Sequence, residues 1–504
     1  MLMSLLMMCA FANGAAARLT PEELKFLGSH DHRGHAAGEP APVLLGKVAP
    51  KHPQSYYTAQ TDRAWVVMLT KKGLVPREKA AKVLAALQGV KAGGEDALKK
   101  RLKGDEDLAS IINFGRTLQE PMSRMLLRDQ QLDVFEQLIK AMRATLDTAE
   151  RHAETIMPGC THMAHAQPTT YGAYLLAVYD GLARGLEQLE LAYKHTNENT
   201  AGCGAVSGTG WPVDRQMVTE LLGFDALMEP TYECEGAQDY GLTTMFALCN
   251  IMTVLSRTAM DHGIWGMEDC GFITLPGRLL GISSLTPQKA HPGSTFERIR
   301  INANKVIGYM TAGLVACKGE PLTDVLPIYE AWKQAANALE ETERALDRWA
   351  DIIASVQPNK EKMLQHTRDG FSGAPDLAIK LIREKGYGGR RAHRICAVFV
   401  YLARKQGLKP YETTGELLDE AAKVANEKPP GLTTVEVREM LDPVKFLERH
   451  NNVGDPNPKE TRRLIAVRRT ALAEAEKRQA DRRAKLQTAS ERLASEIAAI
   501  TGGK

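Results

Sequence analysis

The sequence predicts an all-α protein, and three observations support this. Aromatic side chains make up only 6% of the 504 residues, while Ala, Leu, Glu, Lys and Arg, which favour helix, are plentiful. Apolar residues recur at helical spacing through five stretches of more than twenty residues each. No strand-period alternation of any length interrupts them.

A chain of 504 residues is too long for one core and divides into roughly two to four domains. At 44% hydrophobic and 25% charged it has the composition of a soluble globular protein. A formal net charge of +3 over this length gives no case for a nucleic-acid binder. The eight cysteines are scattered, with no Cys-x-x-Cys pair, so free thiols are expected.

Taken in order, Met1 to Ala12 is mostly apolar and leads into Asn-Gly-Ala-Ala-Ala. The first basic residue is Arg18, so the positive start of an export signal is missing, and residues 1–20 read as an extension or a leader. The run is too short to span a membrane. Residues 19–60 read as loop. Within them His30-Asp-His-Arg-Gly-His35 has metal-ligand types at short spacing, though a hydrated loop is the simpler reading. Trp65, Met68, Leu69, Leu74, Val83, Leu84 and Leu87 mark helix across 62–87, in an N-terminal unit of residues 21–121.

The long patterns run over Arg124–Met157, Tyr171–Asn197, Asp239–Met267, Phe296–Lys318 and Val325–Val356, and predict a bundle within residues 122–364. After Gln357-Pro358 shorter helices broken by Gly and Pro follow, and Lys459–Ile500 reads as a charged helix with a solvated face, closing a unit of residues 365–504.

Four segments carry chemistry. Asn113-Phe-Gly-Arg-Thr117 also reads as a helix start capped by Asn113. Gly159-Cys-Thr-His-Met-Ala-His-Ala-Gln-Pro168 holds His162 and His165 at the spacing of a metal pair, but no further ligands stand nearby. Gly202-Cys-Gly-Ala-Val-Ser-Gly-Thr-Gly-Trp-Pro-Val-Asp-Arg215 resembles a dinucleotide loop only superficially, because a helix precedes it and the glycine spacing fails. Gly281-Ile-Ser-Ser-Leu-Thr-Pro-Gln-Lys-Ala-His-Pro292 puts two hydroxyls, a cation and an imidazole in one loop between helices.

In order and spacing these segments resemble the fumarase/aspartase superfamily, most closely its argininosuccinate lyase branch, from about Ser55 into the C-terminal region. Ser283, Ser284, Pro287 and Lys289 match the signature Gly-Ser-Ser-x-Met-Pro-x-Lys-x-Asn; Thr161, His162, Ala166, Gln167 and Pro168 match the second segment; Gly115 and Arg116 match the first. The resemblance implies a three-domain fold with a central bundle of five long helices. It implies a homotetramer in which each site collects segments from three chains. It also implies elimination of an amine from a dicarboxylate to give fumarate, through an aci-carboxylate, without metal or organic cofactor. Ser283 is then the base, and His162, oriented by Glu297, protonates the leaving nitrogen. Thr161, Lys289, His291, Thr117, Gln119, Arg116, Gln167 and Ser284 are then the substrate contacts.

Departures concern recognition. Leu118 and Gln119 replace an Arg and an Asn, His291 replaces an Asn, and one residue is inserted between Pro292 and Glu297. The family's Asp-Arg-Asp-Phe is Ala237-Gln-Asp-Tyr240, and Asp324, Tyr329 and Trp332 stand where a Tyr, a Gln and a Lys hold substrate. The expectation is a lyase for an N-substituted aspartate or related dicarboxylate whose leaving amine is not arginine, working in the cytoplasm or, if the leader is genuine, exported. The alternatives are an authentic argininosuccinate lyase, an inactive scaffold or binding homologue, and a related cycloisomerisation or elimination.

Overall fold

The computed structural model describes residues 52–88, 94–117, 121–282, 285–286 and 290–502. The expected leader and the His30 to His35 cluster lie outside them, as do Ser283, Ser284, Lys289 and Gln119. The fold is helical. Helix α1 is Gln54–Lys71, and the bundle comprises α2 (Met122–Arg151), α3 (Tyr171–Thr196), α4 (Asp239–Trp265), α5 (Gly293–Cys317) and α6 (Val325–Ser355). Each bundle helix packs on the next, and α6 returns to α2, closing a ring. Phe135, Leu248, Leu346 and Trp349 fill its interior. Buried among them, the Gln131 amide donates to the Thr196 and Thr244 hydroxyls at 3.0 and 2.8 Å.

Two boundaries differ most from the sequence reading. Helix α1 begins at Gln54, inside the stretch that reads as loop. Helix α2 stops at Arg151 rather than Met157, because Ile156–Thr161 (β1) pairs antiparallel with Ala164–Thr170 (β2). The second chemical segment is therefore a β-hairpin, in a chain whose hydrophobic pattern shows no strand alternation. Thr170 ends the hairpin and caps α3, its hydroxyl accepting from the Ala173 amide at 3.1 Å. The other described strands are two-residue pairings: β3 (Glu198–Asn199) with β4 (Ala226–Leu227), β5 (Ile273–Thr274) with β8 (Gln357–Pro358), and β6 (Gly281–Ile282) with β7 (Ala290–His291).

The expected C-terminal unit divides. Helices α7 (Ala374–Lys385) and α8 (Gly389–Lys405) help to bury a separate core with Leu377, Leu381, Phe399, Leu418 and Val437. Helix α9 (Pro458–Thr501) instead runs back along the bundle, where Ile465, Leu472, Leu493 and Ile497 join the main core with Trp65 and Leu84 of the N-terminal helices. Its expected solvated face is an ion-paired seam. Arg468 grips Asp180 at 2.7 and 2.6 Å, and Arg483 bridges Asp133 and Glu136 at 2.6 and 2.7 Å. Such exposed pairs contribute about 0.2–1 kcal/mol each. Full burial of a Leu or Ile contributes about 1.5–3 kcal/mol, so the apolar stripe dominates the docking of α9. Among the described residues no helix is long and apolar enough to cross a membrane.

Candidate active site

The first and third segments meet at one end of the bundle. Phe114 stacks on Trp211 with ring centroids 5.1 Å apart, and Trp65 Nε1 donates to the Phe114 carbonyl at 2.9 Å. Gly115 adopts a φ of +74°, and a Cβ there would lie 3.1 Å from Thr209 Oγ1 and 3.2 Å from Trp211 Cβ, so the loop closes only around glycine. Arg215 staples the third segment, donating to the carbonyls of Ala201, Met228 and Glu229 at 2.8, 2.8 and 3.0 Å. Val206, a β-branched residue, is held at a φ of +69°, a strained conformation that its surroundings impose.

Arg116 and Asn113 take places the sequence does not announce. The Arg116 guanidinium is fully buried, ion-paired with Asp62 of α1, and its Nε donates to the Ile112 carbonyl at 2.8 Å. Burial pushes the Asp62 carboxyl up, and the guanidinium opposes that shift. Within the chain Arg116 thus anchors the loop rather than facing out of it. Asn113 does not cap a helix: its amide donates to Glu95 at 2.6 Å. Thr117, half-buried, has no hydrogen-bond partner among the described residues. Asp62 gives no signal in the sequence, since its role depends on the register between α1 and a loop some fifty residues away.

The second segment lies at the other end of α2. His162 and Met163 form the two-residue tip of the β1–β2 hairpin, with φ of +53° and +59°. Both central residues at positive φ identify a type I′ turn, which Asn and Gly ordinarily occupy. Side chains here cost roughly 1–2 kcal/mol each. That strain presents Thr161, His162 and Gln167 in exposed positions.

The fourth segment leads directly into α5. Pairing of β6 with β7 sets Gly281 opposite His291 and Ile282 opposite Ala290, a two-stranded base at which the two ends of the segment meet. Below it His262 is buried among Trp265, Phe296 and Trp349. Its Nδ1 stands 2.8 Å from the Thr258 carbonyl and its Nε2 2.8 Å from the Tyr171 hydroxyl. This uses both nitrogens of a neutral ring, and burial holds the imidazole down to about 4. Glu297, one residue after Phe296, is exposed. Its expected pairing with His162 is not made within one chain: neither side chain has a hydrogen-bond partner among the described residues.

Helix α2 has 30 residues and so is about 45 Å long. Arg116 and Thr117 precede its first residue and Thr161 and His162 follow its last. No rotamer change spans that length. Within one chain the two segments lie at opposite ends of this helix.

Comparison with known proteins identifies the family. A family model described as Lyase matches residues 102–308. The argininosuccinate lyase of Methanococcoides burtonii is 33% identical over 431 residues, covering 82% of this chain and 86% of that protein. That of Methanothrix thermoacetophila is 29% identical over 449 residues, covering 86% and 91%. Among solved structures, a variant of EDDS lyase with bound fumarate is 27% identical, with a TM-score of 0.87 over 94% of this chain and 98% of that one.

Proposed function

Because the chain belongs to the argininosuccinate lyase branch of the fumarase/aspartase superfamily, and is a fumarate-releasing carbon–nitrogen lyase of that kind, we propose that its substrate is an N-substituted aspartate whose leaving amine is not arginine. The observation that carries this choice is the fate of the recognition positions. Trp332 is buried in the bundle core, and the Tyr329 hydroxyl donates to Glu235 at 3.4 Å. Neither offers the amide or ammonium that the family places there. Without a charge-assisted hydrogen bond at such a position, recognition weakens by roughly 1.5–3 kcal/mol.

The reaction needs a proton taken from the carbon next to a carboxylate, leaving a doubly charged aci-carboxylate. Ser283 takes that proton while Lys289 and the Thr161 and Thr117 hydroxyls stabilise the dianion. A serine works as a base only if its alkoxide is stabilised, which closure of residues 283–289 on the β6–β7 base provides. The electron pair forms the carbon–carbon double bond, the carbon–nitrogen bond breaks, and His162 protonates the leaving nitrogen. Ser284, His291, Gln119 and Gln167 contact the carboxylates, while Arg116 holds the first loop in place from its seat on Asp62.

The working unit in this reading is a homotetramer. Ile301, Ile307, Leu314 and Val315 of α5 and Phe246 and Met260 of α4 are exposed apolar groups on the bundle, as helix-to-helix packing between copies requires. No disulfide joins the seven described cysteines, which suits the reducing cytoplasm. Incubating the enzyme with fumarate and a panel of amines, followed by mass spectrometry, identifies the adduct; Ser283→Ala abolishes its formation. Turnover of argininosuccinate at an ordinary enzymatic rate would overturn the substrate assignment.

A further inference from the structure

Between the catalytic hairpin and the C-terminal helices lies a groove of about 540 Å³, within the range typical of small-molecule sites. Its floor is apolar, with Val400 and Cys396 on one face of α8 and Phe371 just before α7. Burial pushes the Cys396 thiol up to about 12, the behaviour of a low-dielectric surface. Its charged and titratable lining groups besides that thiol are Arg404, His165 and His393, and no carboxylate is among the lining residues.

Two of the three basic groups converge. The Arg404 guanidinium lies over the Phe371 ring at 5.8 Å. The neighbouring Gly370 abuts His165, where a Cβ would stand 3.1 Å from Nδ1. Neither Arg404 nor His165 has a hydrogen-bond or ion-pair partner among the described residues. This contrasts with the arginines of α9, which are held by acids. His393 stands eleven residues before Arg404, about 16 Å along α8, with Cys396 and Val400 between them. A corner holding the Arg404 cation and the His165 imidazole, which burial and then the nearby His366 shift toward its neutral form, thus opens onto an apolar trough.

We propose that this groove is a binding site for an amphipathic monocarboxylate, its carboxylate held by Arg404 and His165 and its apolar chain laid along α8. The site is separate from the lyase chemistry, and its existence does not depend on which amine that chemistry releases. His165 is three residues from His162 on the same hairpin, so an occupant touches the strand that presents the catalytic imidazole.

Hexanoate titrated into the full-length protein by calorimetry tests the proposal, with hexylamine as the cationic control. Saturable binding of hexanoate, not competed by hexylamine, is expected. Arg404→Gln should weaken it roughly tenfold or more while leaving turnover without hexanoate at the parent value. Ala397→Phe, at an exposed position on the groove side of α8, should abolish binding without removing a charge. Absence of saturable binding, parent affinity in both variants, or stoichiometric displacement of hexanoate by fumarate would each overturn it.

Discussion

The Tyr171 hydroxyl and His262 Nε2 stand 2.8 Å apart where solvent does not reach. The pair ties the start of α3, just after the hairpin of His162, to the end of α4.

The pair makes stability depend on pH. His262 is held down to about 4 in the folded chain and titrates near 6.5 once unfolded. Between those values the unfolded state binds the extra proton, so the contribution is present above pH 6.5 and is lost as pH falls toward 4. A shift of this size corresponds to about 3 kcal/mol. His152 is lowered in the same direction but is only half-buried, so solvent screens it. Urea unfolding at pH 7 and pH 5 should give a shallower pH dependence for His262→Gln than for the parent. Equal dependence would show that His262 is not the group responsible.

Asp62→Asn leaves the buried Arg116 guanidinium without its counter-charge, when Nη1 already lacks a partner. Breaking such a pair costs about 3–5 kcal/mol. A fall in melting temperature, partly restored by Asp62→Asn/Arg116→Met, is the expected result. Trp211 fluorescence reports on the loop stacked beside it.

At the hairpin tip, stability and activity separate. His162→Asn keeps a side chain that tolerates positive φ and removes the proton donor. The melting temperature should stay within a degree or so while kcat falls about 10²- to 10⁴-fold. Met163→Gly relieves about 1 kcal/mol of strain and should raise the melting temperature slightly. A large loss of stability in His162→Asn would mean that the imidazole packs rather than reacts.

The stripe on α5 is tested by charge. Ile307 and Leu314 are seven residues apart, both 48% exposed and on one face. Ile307→Arg/Leu314→Arg should dissociate the assembly in sedimentation velocity and remove activity with helix content intact. Full activity in a monomer would refute shared sites.

The long helices were legible because each repeats an apolar stripe for six or more turns; α3 and α6 fall within a residue of the expected bounds. The hairpin was not, since Thr161, Ala164, His165 and Gln167 carry no alternation: its tip stands exposed, and only its base, with Met157, reaches the core. The role of α9 was missed for a related reason. Arg468 and Arg483 look like solvent-facing charges until Asp180 and Asp133 arrive opposite them. The chemical segments were legible as motifs, while the burial of Arg116 needed the fold.

The length of α2 has a genetic consequence. Chains carrying His162→Asn and chains carrying Asp62→Asn damage opposite ends of the same rod. Co-expressed, they would assemble hybrids in which some sites inherit an intact hairpin from one parent and an intact loop from the other. Two defective alleles could then restore partial activity that neither has alone.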